Sequence, residues 1–515
     1  MSEAPILIVD LGNPYTQLLA RRIREANVYC EIVPYTAGLE AIEAREPKAL
    51  ILSGSAGSLD EEDAPAVAPA ILELAIPTLG IGYGATLLAN MLGGTITRSM
   101  KFELHQKPIS IRSGARLFSR LSGESIEGLV AYADRIDRLP ETMRAIASTD
   151  RVEIAAFEDT DLQVYGVAFH PEVDADGVGR AILEAFLFEI AGASPTWTPG
   201  SFVDEAVDAI RAQVGEEAKV LCALSGGVDS GVAAKLVHRA VGDRLTCIFV
   251  DNGLLRKGEA EKVIEQFRDH FHINLVHVDA SEEFLHELAG VADPEMKRKI
   301  IGRLFIEVFE REARRVEGAR FLVQGTVYPD IIESVSLRRG KKGVIKSHHN
   351  VGGLPERMNL ELVEPLRLLF KDEVRAVGLE LGMPRELVFR QPFPGPGLGV
   401  RSPGPIEREK LDILREADAI FIEEIKAAGF YEELWQSFAV ILPVKTVGAV
   451  GEERTYEYAV ALRAVTGRDG MTADWARLPY DLLAKVSNRI INEVKGCNRV
   501  CYDISSKPPA TIEWE

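Results

Sequence analysis

The 515-residue sequence predicts an α/β protein with two doubly wound, mostly parallel sheets and a third, α+β domain. The first observation is a series of strand-like runs that are apolar throughout and alternate with amphipathic helices, a pattern typical of sheets covered by helices on both faces. The second is the Pro-, Gly-, Ser- and Thr-rich stretch 193–200, after which the alternation starts again. The third is the Pro- and Gly-rich segment 390–398, beyond which strands and helices no longer alternate.

These two segments predict three domains, with the limits 1–196, 197–390 and 391–515. The chain is longer than one hydrophobic core usually supports. In the first domain, strands at 5–10 and 48–54 enclose a helix at 15–26, and the pattern continues to 165–172 and a helix near 178–191. The second domain has a helix at 202–214 and strands at 220–224, 245–250, 275–278 and 320–324. The third has helices at 406–428 and 479–494, and strands at 438–450, 457–465 and 499–504.

Composition and charge restrict the class of protein. No apolar run approaches the roughly 20 residues that span a bilayer, and the first residues lack the features of a secretion signal. We therefore expect a cytoplasmic protein without a membrane partner. The formal net charge of −19 argues against a nucleic-acid partner. One basic cluster, residues 338–342, fits either a solvated loop or a local phosphate clamp.

The cysteines predict neither disulfides nor a metal site. Their number is odd, and their spacing matches no disulfide framework. Reduced, mostly structural thiols are the expectation for all five: Cys30, Cys222, Cys247, Cys497 and Cys501.

The sequence GIGYG at 80–84 predicts a sharp turn from a strand into a helix. Glycines flank such turns because the backbone is crowded and often takes a positive φ. The central residue of a nucleophile turn is normally a reactive Ser or Cys. Here the central residue is Gly82.

The sequence SGGVDSG between a buried strand and a helix predicts a phosphate-binding loop. Paired glycines let backbone N–H groups approach an anion, and the helix N-terminus adds positive potential. The loop lacks the Gly-Lys-Ser/Thr end of a Walker A motif, which disfavours kinase or GTPase chemistry. Its alternative interpretation is a plain Gly–Ser turn. The expected ATP-binding residues are Ser225, Gly226, Gly227, Val228, Asp229, Ser230 and Gly231, with Asp251 after the next strand as a ribose or adenine contact.

This loop resembles the PP-loop of the ATP pyrophosphatases, which transfer AMP to a substrate oxygen. From about residue 200 to 515 the chain resembles the GMP synthetase family in several long strings, among them FVDNGLLRKGE, DPEMKRKIIG, FLVQGTVYPDIIES, IKSHHNVGGLPE, PFPGPGLG and SKPPATIEWE. The resemblance implies that MgATP adenylates the C2 oxygen of xanthosine monophosphate (XMP) and that ammonia then displaces AMP to give GMP.

The resemblance also implies roles for particular residues. Asp229 would hold Mg²⁺ with the phosphates, and Lys346 would belong to a lid over them. Arg298, Lys507 and Glu513 match XMP-binding positions. Taken alone, Arg298 also fits a surface charge within Lys-Arg-Lys. The family's C-terminal domain forms a dimer, which implies a homodimer here.

Residues 1 to about 195 resemble a class I glutamine amidotransferase domain, through ILIVD, YTQLLARRIRE and GVAFHPEV. In such a site a Cys thiolate attacks the glutamine amide, a His transfers protons and a Glu orients the His. His170 and Glu172 match the latter two, whereas Gly82 stands in the Cys position. The resemblance therefore predicts that glutamine hydrolysis is effectively absent.

A laboratory change of Cys to Gly would leave neighbouring positions intact, but several of them differ from the family pattern as well: Ala85–Thr86, 54–56, 131–134 and Ala168. The sequence thus favours a natural pseudo-glutaminase domain fused to a synthetase that uses free ammonia. Two alternatives stay open: a glutamine-dependent enzyme, either engineered or supplied by a separate glutaminase, and a non-catalytic nucleotide-binding paralogue. The sequence leaves open the ammonia source, an ammonia channel and the binding of glutamine.

Overall fold

A computed structural model describes residues 4–55, 57–174, 177–336, 359–450, 453–467 and 472–515. The chain forms two compact units, Met1–Phe202 and Val203–Glu515. The three predicted domain limits stay predictions, because elements on both sides of residue 390 contribute to one hydrophobic core in the second unit. Within the described ranges, no helix combines the length and apolar composition that a bilayer span requires.

The first unit is built on a nine-stranded sheet with the order β2-β1-β3-β4-β9-β8-β7-β5-β6. Strands β2, β1, β3, β4 and β9 are parallel, and the remaining four extend the sheet in antiparallel fashion. The strands are β1 (Ile6–Asp10), β2 (Cys30–Pro34), β3 (Ala49–Leu52), β4 (Thr78–Ile81), β5 (Thr95–Ile111), β6 (Ser125–Arg138), β7 (Arg144–Ser148), β8 (Ala156–Asp159) and β9 (Val164–Val167). The helices are α1 (Thr16–Glu25), α2 (Leu39–Glu43), α3 (Tyr83–Met91) and α4 (Val178–Glu184), the last continued by a π-helical segment, Ala185–Ile190.

Four of the parallel strands, β1, β3, β4 and β9, are almost entirely buried because both of their faces are covered, whereas β2 is only partly buried. All residues of β3 and β4 are buried, and only Asp10 in β1 is not. The predicted α/β class is confirmed, while the antiparallel extension is an addition to it.

The second unit contains two sheets. Five parallel strands in the order β12-β11-β10-β13-β14 form the first, and β15-β16-β17 with β18 beside β16 form the second. The strands are β10 (Lys219–Ala223), β11 (Leu245–Asp251), β12 (Asn274–Asp279), β13 (Ala319–Val323), β14 (Glu361–Val363), β15 (Gln436–Val450), β16 (Glu453–Thr466), β17 (Asp474–Trp475) and β18 (Cys497–Tyr502).

Ten helices named here accompany these sheets, the first of which spans the boundary between the units. They are α5 (Pro199–Val214), α6 (Val228–Val241), α7 (Glu259–Ile264, continued by π-helical Glu265–His270), α8 (Ser281–Glu287), α9 (Pro294–Ala313), α10 (Tyr328–Ser336), α11 (Lys371–Glu380), α12 (Arg385–Val388), α13 (Arg408–Ala427) and α14 (Tyr480–Glu493).

Candidate functional site

The predicted sharp turn is present at Gly82, between β4 and α3. Its backbone angles are φ 55° and ψ −116°, a combination that residues with a side chain rarely adopt. The Gly82 amide donates to the carbonyl of Val167 at 2.8 Å, which ties the turn to the end of β9. The backbone therefore has the shape of a nucleophile turn, while the residue at its centre carries no side chain.

The last glycine of the turn, Gly84, is required by packing. A Cβ atom at Gly84 would lie 2.3 Å from the carbonyl oxygen of Leu52 in β3. Backbone cannot move away from such a clash cheaply, so helix α3 begins in direct contact with the sheet only because residue 84 is glycine.

Gly84→Ala is expected to lower the free energy of unfolding of the first unit by about 1–3 kcal/mol, the usual cost of overpacking. Gly302→Ala is a matched control, for which we expect the free energy of unfolding to rise instead of fall. It lies inside α9 with no atom within 4 Å of the added Cβ, and we expect a gain of about 0.4–1 kcal/mol. Amide hydrogen exchange, measured for individual peptides, reports the stability of the two units separately. Equal protection of β3 and α3 in Gly84→Ala and the parent chain would contradict the packing argument.

The predicted His–Glu pair forms immediately after β9. His170 Nδ1 lies 2.7 Å from Glu172 Oε1, and both side chains are buried. The Tyr15 ring and the imidazole of His170 pack in a T-shaped arrangement, with 5.5 Å between the ring centroids. Because β4 and β9 are parallel neighbours with Ile81 opposite Val167, Gly82 and His170 leave the same edge of the sheet.

Two features near this edge are structural. Asp134 accepts hydrogen bonds from Ser58 Oγ at 2.6 Å and from the Leu59 amide at 2.7 Å, so it holds the segment that follows β3. The Tyr83 hydroxyl donates to the Pro65 carbonyl at 2.7 Å. Burial raises the pKa of Tyr83 to about 12, and the nearby carboxylates of Asp134 and Glu61 add to this. Tyr83 is therefore a neutral packing residue at neutral pH.

The phosphate-binding loop joins β10 to α6, with helix α6 starting at Val228. Ser225 Oγ and Ser230 Oγ are 2.9 Å apart, and the Gly227 amide donates to Ser225 Oγ at 3.3 Å. Asp251, at the end of the adjacent parallel strand β11, accepts from the Gly253 amide at 2.9 Å. The loop and Asp251 thus share the carboxyl edge of one sheet, where nucleotides bind in folds of this type.

Two basic residues at the loop were not predicted from the sequence. Lys371, the first residue of α11, donates through Nζ to both carboxylate oxygens of Asp229. Arg390 donates to the carbonyl of Gly226 at 2.9 Å and pairs with Glu259. A Lys or Arg far along the chain gives no local signal of either contact, although Lys371 lies within the family-like string EPLRLLFKDEVR.

The end of the chain is anchored by buried cations. Glu513 accepts from Arg401 through both carboxylate oxygens, at 3.0 and 2.9 Å, and from Gln436 at 3.0 Å. Lys297 pairs with Glu515 at 2.5 Å, and burial lowers the pKa of this lysine in spite of the opposing charge of Glu515.

The other predicted XMP-binding residues lie on two further segments. Arg298 follows Lys297 on α9, about one-third exposed, with Glu295 at 3.8 Å, which also suits the surface-charge interpretation. The backbone of Lys507 pairs with that of Ala473 through two hydrogen bonds of 2.7 and 3.0 Å. Lys346 and the basic cluster 338–342 lie outside the described residues.

Comparison with known families matches three models along the chain. They are glutamine amidotransferase class-I at residues 7–190, thiamine biosynthesis protein (ThiI) at 215–330 and GMP synthase C terminal domain at 423–514. Together with the loop at the carboxyl edge of a parallel sheet, these matches define an ATP-utilising carbon–nitrogen ligase of the ATP pyrophosphatase type, fused to an amidotransferase fold.

Curated relatives match nearly the whole chain. Proteins named "GMP synthase [glutamine-hydrolyzing]" from Symbiobacterium thermophilum and Carboxydothermus hydrogenoformans are each 55% identical over 510 residues, which is 99% of this chain and 99% of theirs. The protein of that name from Nitrobacter hamburgensis is 54% identical over 517 residues, which is 99% of this chain and 96% of its own length. The chain belongs to the GMP synthase family.

Proposed function

We propose that this chain makes GMP from XMP, ATP and free ammonia, releasing AMP and pyrophosphate. The relatives that match it from end to end are named GMP synthases, which supports the overall reaction. Those names also state glutamine hydrolysis. The observation that separates this chain from them is Gly82, a residue without a side chain at the centre of an intact nucleophile turn.

The proposed reaction has two displacements. The C2 oxygen of XMP attacks the α-phosphorus of ATP, the bond to the bridging oxygen breaks, and pyrophosphate leaves. Ammonia then attacks C2, the bond from C2 to the adenylated oxygen breaks, AMP leaves, and the added nitrogen loses its surplus protons to water. Adenylation is needed because a purine carbonyl oxygen is a poor leaving group and AMP is a good one.

The residues around the phosphate-binding loop suit the first displacement. Backbone amides of the loop and the N-terminus of α6 attract phosphate oxygens. Lys371 brings a positive charge to the same place through Asp229. Such charge stabilises the leaving pyrophosphate.

Asp229 also fits the predicted role of magnesium ligand. In the part of the chain that the structure describes, no group of three or more His, Cys, Asp or Glu side chains could hold a metal by itself. Magnesium that arrives with a nucleotide needs no more than one or two carboxylates, since phosphates and waters complete its shell. When bound, it neutralises phosphate charge. Asp229 supplies the hard oxygen donor for it.

We further propose that Arg298, Lys507 and Glu513 bind XMP, that Lys346 closes over the phosphates and that two chains form a homodimer through the C-terminal part. Val447 and Tyr456 are opposite each other in the β15–β16 pair, and both side chains are more than half exposed. Paired exposed apolar residues of this kind suit burial against a second copy.

Neither Cys30 nor Thr86, the two candidates for a replacement nucleophile in the described part of the first unit, is placed to take over from the missing thiol. Cys30 is buried in β2 and donates to the carbonyl of Ala20 at 3.5 Å. Thr86 lies one helical turn beyond Gly82, buried, and its hydroxyl donates to the Gly82 carbonyl at 3.4 Å. His170 and Glu172 therefore remain as a proton-transfer pair without a nucleophile to activate.

The test compares ammonium chloride with glutamine in a GMP-forming assay that contains XMP and MgATP. Ammonium should support GMP formation and the release of one pyrophosphate per GMP, and glutamine should not. Equal turnover on glutamine would favour the glutamine-dependent alternative. If pyrophosphate is not released when XMP is present, the chain is a non-catalytic paralogue and the proposal fails.

A further inference from the structure

The segment 503–515 is held in place by three cationic side chains, each with no solvent exposure. Arg401 contacts Glu513, Lys297 contacts Glu515, and Arg463 donates to the carbonyls of Ser505, Thr511 and Ile512. Burying a charge is costly unless it is paired, and such pairs are weak evidence for stability. A segment held this way is fixed in position rather than merely packed.

Arg401 differs from the other two cations in what it holds. Arg463 donates mainly to backbone carbonyls, and Lys297 contacts Glu515 through a single nitrogen. Arg401 instead donates two hydrogen bonds to the two carboxylate oxygens of Glu513, from Nε at 3.0 Å and from one Nη at 2.9 Å. Two bonds from a planar guanidinium fix both the position and the orientation of a carboxylate.

The guanidinium itself is locked by aromatic side chains. Its carbon lies 4.0 Å from the centroid of the Phe438 ring and 5.1 Å from that of Phe393. The other Nη of Arg401 has no hydrogen-bond partner among the described residues. The hydrogen bonds that the Arg401 guanidinium makes with described residues both go to Glu513, so its position determines that of this carboxylate.

The Glu513 carboxylate remains partly accessible to a ligand. Its side chain is 19% exposed, whereas Arg401 is fully buried. One carboxylate oxygen accepts from Arg401 and Gln436, and the other accepts from Arg401 alone. The second oxygen has acceptor capacity left for an N–H or O–H donor. Xanthine ring N–H groups and ribose hydroxyls are donors of this type.

We propose that Arg401 is a positioning residue that presents the Glu513 carboxylate to an N–H or O–H donor of the purine nucleotide. This rests on the proposed function, in which Glu513 binds XMP. Arg401 acts through Glu513 and does not touch the nucleotide, while Gln436 donates a further hydrogen bond to the same carboxylate.

The test measures KM for XMP, KM for ATP and kcat in the full chain, with ammonium as nitrogen donor. Arg401→Met should raise KM for XMP by about tenfold or more and change KM for ATP less than about twofold. Arg401→Lys should recover only part of the loss, because an ammonium group cannot form the two parallel bonds. Arg24→Met is the matched control. Arg24 is buried in the first unit, donates to the carbonyl of Cys30 at 2.7 Å and lies over the Tyr29 ring, so KM for XMP should stay within about twofold.

A double-mutant comparison distinguishes positioning from general packing. Glu513→Gln keeps the shape of the side chain and should raise KM for XMP by itself, and adding Arg401→Met should have little further effect. Equal additional losses in both backgrounds would overturn the proposal, as would an unchanged KM for XMP in Arg401→Met. If Arg401→Met does not fold, Arg401→Lys and Glu513→Gln carry the same comparison. Failure of the parent chain to release pyrophosphate with XMP would instead refute the proposed function.

Discussion

Glutamine hydrolysis by the purified chain is expected to be about 10⁶-fold slower than in an amidotransferase that keeps its cysteine, since removing the nucleophile of such a catalytic unit typically costs that much. The expectation rests on Gly82, which offers no atom for covalent attack, and on the buried, hydrogen-bonded state of Thr86 and Cys30. The measurement is glutamate release at saturating glutamine, followed with and without XMP and ATP. Ammonium-dependent GMP formation by the same sample shows that the protein is active.

A covalent probe gives an independent reading of the same prediction. A glutamine analogue with an electrophilic carbon should leave the mass of the parent chain unchanged. Gly82→Cys should gain one adduct, because His170 and Glu172 are paired at the same sheet edge. Its turnover on glutamine should recover only partly, since Ala168 and Ala85 also differ from the family pattern. Gly82→Ser is the matched control.

Gly82→Cys also tests whether the backbone conformation at residue 82 disfavours a side chain. A side chain at φ 55° and ψ −116° costs about 1–3 kcal/mol. Gly82→Cys should therefore lower the free energy of unfolding of the first unit by about that amount. An adduct on the parent chain, or glutamate release at an ordinary enzymatic rate, would show that another residue serves as nucleophile.

Much of the architecture follows from local sequence pattern. Strands that are buried on both faces, such as β1 and β3, carry an unbroken apolar run, and tight turns require the glycines within 80–84 and 225–231. Both signals lie within about ten residues of chain. The antiparallel strands β5 and β6 could not be recognised in this way, because exposed and buried residues mix along their described parts.

The sites were predicted less completely because the residues that contact one another in them are distant in sequence. Asp229 and Lys371 are separated by 142 positions, and Arg401 and Glu513 by 112. No periodicity links such residues, so only the fold brings them together. His170 and Glu172, two positions apart, could be paired from sequence alone.

The second large effect is expected at the phosphate-binding loop. Asp229→Asn keeps the size of the side chain but removes its charge, and should slow XMP-dependent pyrophosphate release by about 10³-fold, comparable to the loss of a preorganised electrostatic group in other enzymes. Lys371→Met should have an effect of similar size, because it removes the cation next to the phosphates. A coupled pyrophosphate assay with ammonium measures both.

Asp372→Asn controls for loss of charge on the same turn of α11, since Asp372 is exposed and follows Lys371 directly. Its rate should stay within about twofold of the parent, because an exposed single charge contributes little. Unfolding temperatures within a few degrees for all three variants would exclude a general loss of structure.

A double variant that combines Asp229→Asn with Lys371→Met distinguishes between two possible roles of Lys371. If Lys371 only balanced the charge of Asp229, removing both charges would restore much of the rate, since neither would be left unpaired. If both groups act on the phosphates as one unit, the double variant should be about as slow as either single variant, because effects within a catalytic unit do not add. We expect the second result, since Asp229 and Lys371 lie together at the N-terminus of α6, where phosphate binding is expected. A rate within tenfold of the parent in either single variant would exclude a direct part for that residue in the reaction.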